Sequence, residues 1–313
     1  MLSLLLAVCG QSLAQSYPAR PVRVILGFTP GSITDVGGRV IASEMSKRLG
    51  QPVIVENRPG ANGSIGANVV IKSSPDGYTI NFGSVMNFHP VFVKAGAIDA
   101  GKEMSPVSNS MSGTYGLFTS AKSSVNSLQD LLAVSKANPP GKLNHVSTSS
   151  GTTMLAEMLK ASTGLTFTTI PFTGNTNQTL IALINGQGDF SFNSMVSIRS
   201  HLQAGSVRGI FYAAAKRHPL MPDVPTAGEL GLPKFENSAF NFGLWAPNGM
   251  PKDILEKLST TAAAAVAAPE VSEQIQKIGF IPVGSSADEQ LRTFNAEVSF
   301  WAEAARLAKY QPE

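Results

Sequence analysis

Val22-Arg23-Val24-Ile25-Leu26-Gly27-Phe28-Thr29-Pro30-Gly31-Ser32-Ile33-Thr34-Asp35 carries three structural signals in fourteen residues. The aliphatic and β-branched run 22–26 reads as a buried parallel strand. Pro30-Gly31 breaks it, because both residues make a tight turn cheap for the backbone. Ser32 and Asp35 then stand at capping-box spacing and open a helix that runs to about Leu49, with Gly50 as its stop. A strand, a glycine turn and a helix start aim unpaired N–H groups and a partial positive charge at one point. That point suits an anion. An ordinary capped turn has the same spacing, so the stretch alone leaves both readings open.

The sequence around it is more specific. Tyr17-Pro18 with Pro21, the loop from Phe28 to Asp35, and Leu49-Gly50-Gln51-Pro52-Val53-Ile54-Val55-Glu56-Asn57-Arg58-Pro59-Gly60 follow one another in order. Asn62-Gly63-Ser64-Ile65-Gly66-Ala67 and Ser74-Pro75-Asp76-Gly77-Tyr78-Thr79 continue the series. Later come Pro171-Phe172-Thr173-Gly174, Gly186-Gln187-Gly188-Asp189, Ala215-Lys216-Arg217, Pro222-Asp223-Val224-Pro225-Thr226 and Leu244-Trp245-Ala246-Pro247. In these motifs the chain resembles the substrate-binding proteins of tripartite tricarboxylate transporters, the Bug-type receptors. The resemblance implies an α/β fold, a two-lobed periplasmic binding protein of the flytrap kind with two crossover strands. It departs from the family where the first loop commonly carries Gly-Gly, since Ser32-Ile33 stands there. The acidic segment that usually follows the Asn87 region is also shortened, around 94–103.

At 313 residues the chain exceeds what one small core fills, so two lobes are expected. A formal net charge of +3 without a block of Lys or Arg argues against nucleic acid and mildly favours anionic small molecules. Residues 1–15 read as a short apolar signal peptide, with a start that reads as truncated because no basic segment precedes it. The single cysteine, Cys9, would leave with it, and a thiol-free exported chain suits a periplasm.

Strand and helix signals alternate through the chain, which argues largely parallel sheets. Strands are expected over 53–56, 78–82, 115–120, 143–148, 167–171, 189–192, 207–213 and 240–246. Helices are expected over 64–72, from Ser127, over 152–162, 175–185, 196–204, 251–267 with Pro251 near its first turn, and 287–308. Chain crossings near 112–120 and 237–246 would place residues 16–113 and 240–313 in lobe one and 114–239 in lobe two.

Three strand-to-helix turns are candidate ligand contacts, because ligands of open α/β sheets bind beyond the carboxyl ends of strands. The first is Phe28 with Pro30, Gly31, Ser32, Ile33, Thr34 and Asp35. The second is the hydroxyl-rich Ser149, Ser150, Gly151, Thr152 and Thr153, and the third is Phe172, Thr173 and Gly174. Ser84, Asn87 and Asn193 follow strands that would reach the same cleft, and Phe28, Phe172 and Phe242 would wall it. Ile33 would narrow the pocket or favour a more apolar ligand. Two facing anion seats would suit a carboxylate at each end of a ligand. The competing reading is that these Ser, Thr and Asn residues only cap helices and that the phenylalanines are core.

Enzyme signatures are missing from the sequence. There is no Gly-x-Ser-x-Gly elbow, P-loop or dinucleotide fingerprint, and 60–66 spaces its glycines as a turn. His89, His145, His201 and His218 lack metal-ligand spacing. No catalytic residue, metal or cofactor is expected. The expectation is a monomeric extracytoplasmic receptor that takes a small carboxylate, a dicarboxylate or an aromatic acid, and passes it to membrane transporter subunits. A ligand sensor for a signalling partner is the alternative within receptors, and a carboxylate-modifying enzyme the alternative outside them.

Overall fold

The computed structural model describes residues 17–139, 141–147, 149–172, 176–214, 216–217 and 221–312. The chain opens with β1 (Val22–Leu26), α1 (Ile33–Leu49), β2 (Val53–Asn57), a 3₁₀ turn (Ala61–Gly63), α2 (Ser64–Ile71) and β3 (Thr79–Gly83). A second 3₁₀ turn (Val85–Phe88) and α3 (Ala100–Glu103) lead to β4 (Met104–Gly113). Next come β5 (Tyr115–Ser120), α4 (Leu128–Ala137), β6 (Asn144–Ser147), α5 (Ser150–Thr163), β7 (Thr168–Pro171), α6 (Thr176–Ile184), β8 (Ser191–Ser194), α7 (Met195–Gln203) and β9 (Val207–Tyr212). After two further 3₁₀ turns the chain ends in β10 (Phe240–Pro247), α8 (Lys252–Ala267), α9 (Pro269–Lys277), β11 (Ile281–Pro282) and α10 (Ala287–Leu307).

The sheets are mixed, not largely parallel. The first has the order β11-β4-β10-β3-β1-β2. β1 is parallel to both β2 and β3, but β10 runs antiparallel to β3 and β4, and β11 antiparallel to β4. In the second sheet β5 is antiparallel to β8 and β9. The parallel pair β6 and β7 joins it through a bridge between His145 and Phe190. The chain leaves the first sheet at Gly113, enters the second at Tyr115, and returns through the turn Pro233–Ser238 into β10.

β4 escapes a hydrophobicity reading because it is polar and buried at once. Its Ser108, Asn109 and Ser110 lie inside, and Asn109 N–H donates to Ser285 Oγ at 2.9 Å. Pro106 is tolerated in mid-strand beside a register shift, where β10 passes from Leu244 to Trp245. α9 is likewise an addition to the expected elements, separated from α8 by Ala268 alone, with Pro269 as its first residue. Pro251 is the N-cap of α8 and not its first helical residue.

The caps show how local chemistry sets element ends. Ser32 accepts the Asp35 N–H, and Gly50 ends α1 in the left-handed region at φ 66°. The Asp35 carboxylate, however, accepts from Gly31 N–H, one residue before the position a capping box would use. Ser127 and Asp130 repeat this pattern with Asn126 N–H. The complete box belongs to α10, where Glu289 has the extra methylene and takes the Ser286 N–H at 2.9 Å.

Helix α10 packs against β4 and β10 and also against α5 and 233–238. Its Phe294 meets Trp245 and His89, while Phe300 meets Phe235 and Trp301 meets Tyr115. It therefore reaches side chains belonging to both sheets.

Candidate ligand cleft

A cavity of about 410 Å³ opens where α10, the β1–α1 loop, the turn after β3 and the start of α5 converge. Phe28, Ser84, Asn87, Ser149, Ser150 and Gly151 line it, all of them expected from the sequence. Asn62, Met86, Phe92, Val93, Tyr115, Phe240, Glu297, Trp301 and Tyr310 line it as well and were not foreseen. Among the described residues no Lys, Arg or His contributes to this lining, and Glu297 is the one acid.

The first two strand-to-helix turns differ in what they leave free. At α5, Ser149 Oγ accepts the Thr152 N–H at 3.2 Å, and Thr153 N–H is taken by the Ser149 carbonyl. The N–H groups of Ser150 and Gly151 remain as first-turn donors that a helix does not satisfy internally, and both residues line the cavity. The hydroxyls beneath them are occupied with one another: Thr152 Oγ1 lies 2.6 Å from Ser147 Oγ, and Thr153 Oγ1 donates to Ser147 Oγ at 3.0 Å. Thr152 and Thr153 thus brace the turn from behind.

At α1 the chain brings its own anion. Asp35 accepts from Gly31 N–H at 3.0 Å and from Asn57 Nδ2 at 2.8 Å, and pairs with Arg39 at 2.9 Å. Burial works to raise its pKa, but Arg39, Gly31 N–H and Asn57 together overcome that and hold it at about 2. Thr34 is buried, Ile33 packs on the first-sheet core, and Pro30, Gly31 and Ser32 sit outside the cavity wall.

Other expected contacts lie away from this cavity. Asn193 is buried in the second sheet, donating to Ser191 Oγ at 2.9 Å. Phe242 is core, packed against Phe82, Phe240 and Phe280. Phe172 packs on the core around β5 and β9, and Thr173 and Gly174 fall outside the described residues. His145 is enclosed by Phe167, Phe190 and Phe192, and burial pushes its pKa down to about 3. It is a neutral core side chain.

The aromatic wall is continuous. Trp301 stands edge-on to Phe92 and Tyr115, with ring centroids 5.3 and 6.2 Å apart, and Tyr115 packs on Phe240 at 5.1 Å. Tyr310 is tied to the same wall by its hydroxyl, which donates to the Phe92 carbonyl at 3.0 Å. A Cβ on Gly151 would lie 3.7 Å from Trp301, so the indole rests directly over the α5 start. Glycine also shapes the floor: a Cβ on Gly27 would come within 2.5 Å of the Gly63 backbone. The run 60–66 therefore serves close packing of two loops, which positions Phe28 and Asn62.

With this geometry in view, the comparisons with known proteins are decisive. The model of the tripartite tricarboxylate transporter family receptor matches residues 38–305. The chain belongs to that receptor family. A Cupriavidus necator protein described as the UPF0065 protein in the gbd 5′ region is 34% identical over 295 residues, 94% of this chain and 88% of its own length. The solved periplasmic binding protein BugD is 27% identical, with a TM-score of 0.67 over 95% of this chain and 100% of BugD. An R. palustris protein solved with adipate is 28% identical, with a TM-score of 0.71 over 95% of this chain and 100% of its own. The fold is accordingly that of a two-lobed periplasmic binding protein, as in BugD. Among the described residues no helix is long and apolar enough to cross a membrane.

Proposed function

We propose that this receptor captures a small carboxylate in the aromatic cleft and delivers it to the membrane components of a tripartite tricarboxylate transporter. The observation that carries the reading is the pair of first-turn N–H groups of Ser150 and Gly151 in the cleft wall, beneath the Trp301 indole. Helix-start donors and the helix dipole favour a carboxylate there, and the surrounding rings favour the apolar body of its ligand. Adipate in the solved R. palustris relative supports the same ligand class. Lobe one would comprise residues up to 113 and from 240 onward, and lobe two residues 114–239. Ligand contact with both lobes would stabilise the closed form about the two crossings.

Thermal shift against a panel of mono- and dicarboxylates tests the reading. A binder at a hundredfold its Kd adds about 2.7 kcal/mol of stability by mass action, and mass spectrometry should recover it unaltered. A flat panel would sink the carboxylate reading, and chemical conversion of a bound compound would indicate an enzyme.

A further inference from the structure

Glu297 occupies an unusual place for an acid. It is 4% exposed, yet it is one of the residues that line the ligand cleft. Oε2 accepts from Asn241 Nδ2 at 3.1 Å, and Asn241 Oδ1 in turn accepts from Asn109 Nδ2 at 2.9 Å. Oε1 has no partner. A buried acid with a spare oxygen carries a free-energy penalty that a well-packed fold normally avoids. An unpaired, buried acid oxygen on a residue that lines the ligand cleft points to a ligand group that completes it once bound.

The charge inventory says which group. Among the described residues the lining side chains supply one acid, no base, and the rings of Phe28, Phe92, Tyr115, Phe240, Trp301 and Tyr310. A second carboxylate would find no cation in this lining to pair with. A cationic nitrogen would find an unpaired carboxyl oxygen and the faces of aromatic rings, the two features that bind ammonium groups. The spacing follows from α10: Glu297 lies one turn before Trp301, whose ring rests over Gly151. Side chains one turn apart are separated by roughly 6 Å, so the two ligand ends are separated by several bonds. We propose that Glu297 is the specificity-determining residue of the cleft and that the ligand is an amino-carboxylate, its carboxylate at the α5 start and its cationic nitrogen on Glu297. This rests on the carboxylate-receptor reading and narrows it.

Burial raises the Glu297 pKa to about 8, while the Asn241 N–H bonds act the other way. β4 and β10 carry no ionisable side chain, and on β5 the Tyr115 hydroxyl is held near 12 by its own burial and by Glu297. On the remaining packed elements, Lys234 pairs with Glu303, Lys160 with Glu157, and Lys102 with Asp99. Glu103 Oε1 accepts the Asp99 N–H, and Glu236 and Lys216 open onto a separate groove behind Glu297. At pH 7 the empty site therefore holds the neutral acid, and a cationic ligand expels its proton.

The test uses matched ligands on the intact protein: 6-aminohexanoate, adipate and hexanoate, with 4-(aminomethyl)benzoate, terephthalate and 4-methylbenzoate as the aromatic set. Calorimetry at pH 7 should show the amino member of at least one set binding tenfold or more tighter than its dicarboxylate. It should also show proton release between buffers of different ionisation enthalpy. Glu297→Gln should lower that ratio tenfold or more and remove the proton release. Dicarboxylates preferred by the wild type, or proton uptake on binding, would overturn the proposal while leaving the receptor reading intact. Absence of binding by all six compounds would overturn both.

Discussion

Glu297 and His145 are both buried ionisable residues, and their opposite shifts predict opposite pH signatures. Glu297 titrates near 8 when folded against an ordinary 4.5. Between those values the native chain keeps a proton that the unfolded chain has released, so this residue makes stability fall as pH rises. Glu297→Gln should flatten that decline and raise the unfolding free energy from urea titration at pH 8–9 by an amount on the order of a few kcal/mol. His145 titrates near 3 against 6.5, so the unfolded chain binds the extra proton and stability falls as pH drops below 6.5. His145→Phe should weaken that acid limb without changing ligand affinity, which paired denaturation and calorimetry would check. The sequence places His145 within a strand, as a core or surface side chain and not a base, and the structure puts it in the core. It conceals Glu297, although a signal exists: the acid interrupts the apolar stripe of Leu291, Phe294, Val298 and Trp301 on α10. An acid on a buried stripe looks like a solvated residue until the partners of that stripe are known.

Elements were legible where periodicity and caps agree, as in α1, α5 and α10, and obscure where burial is polar. β4 is the clearest case, since its polar residues are buried by strands and loops far away in sequence, as where Asn109 N–H donates to Ser285 Oγ. The α5 start was legible as a hydroxyl-rich helix start; that Asp35 takes the Gly31 N–H at the α1 start was not, because Asp35 at this spacing also reads as a simple cap. The difference can be tested by removing one N–H at a time. Ser150 is the first residue of α5 and follows an extended Ser149 (φ −142°), so proline fits there while deleting the donor. Ser150→Pro should preserve helicity and weaken ligand binding by about 1–3 kcal/mol, with Ser150→Ala isolating the hydroxyl. Wild-type affinity in Ser150→Pro would remove the α5 seat from the site. Gly27→Ala tests loop packing instead. Its Cβ would press on the Gly63 backbone, which cannot rotate away, so several degrees of Tm should be lost.

At the scale of the whole molecule, two-lobedness was visible in length and family motifs, but the bridging role of α10 was not. A helix assigned to lobe one by sequence order proves to touch α5 and 233–238 as well. That placement makes Trp301 a reporter of closure. The chain has two tryptophans, and they sit differently: Trp245 is in β10, packed on Phe294, whereas Trp301 lies in the cleft wall against Gly151 of α5. If ligand draws α5 toward α10, the environment of Trp301 changes and that of Trp245 does not. Trp245→Phe should therefore keep the ligand-induced change in intrinsic fluorescence, and Trp301→Phe should lose it while still binding more weakly in calorimetry. A ligand-induced signal that survives Trp301→Phe and disappears in Trp245→Phe would place the moving boundary on the β10 side of α10, away from the α5 start.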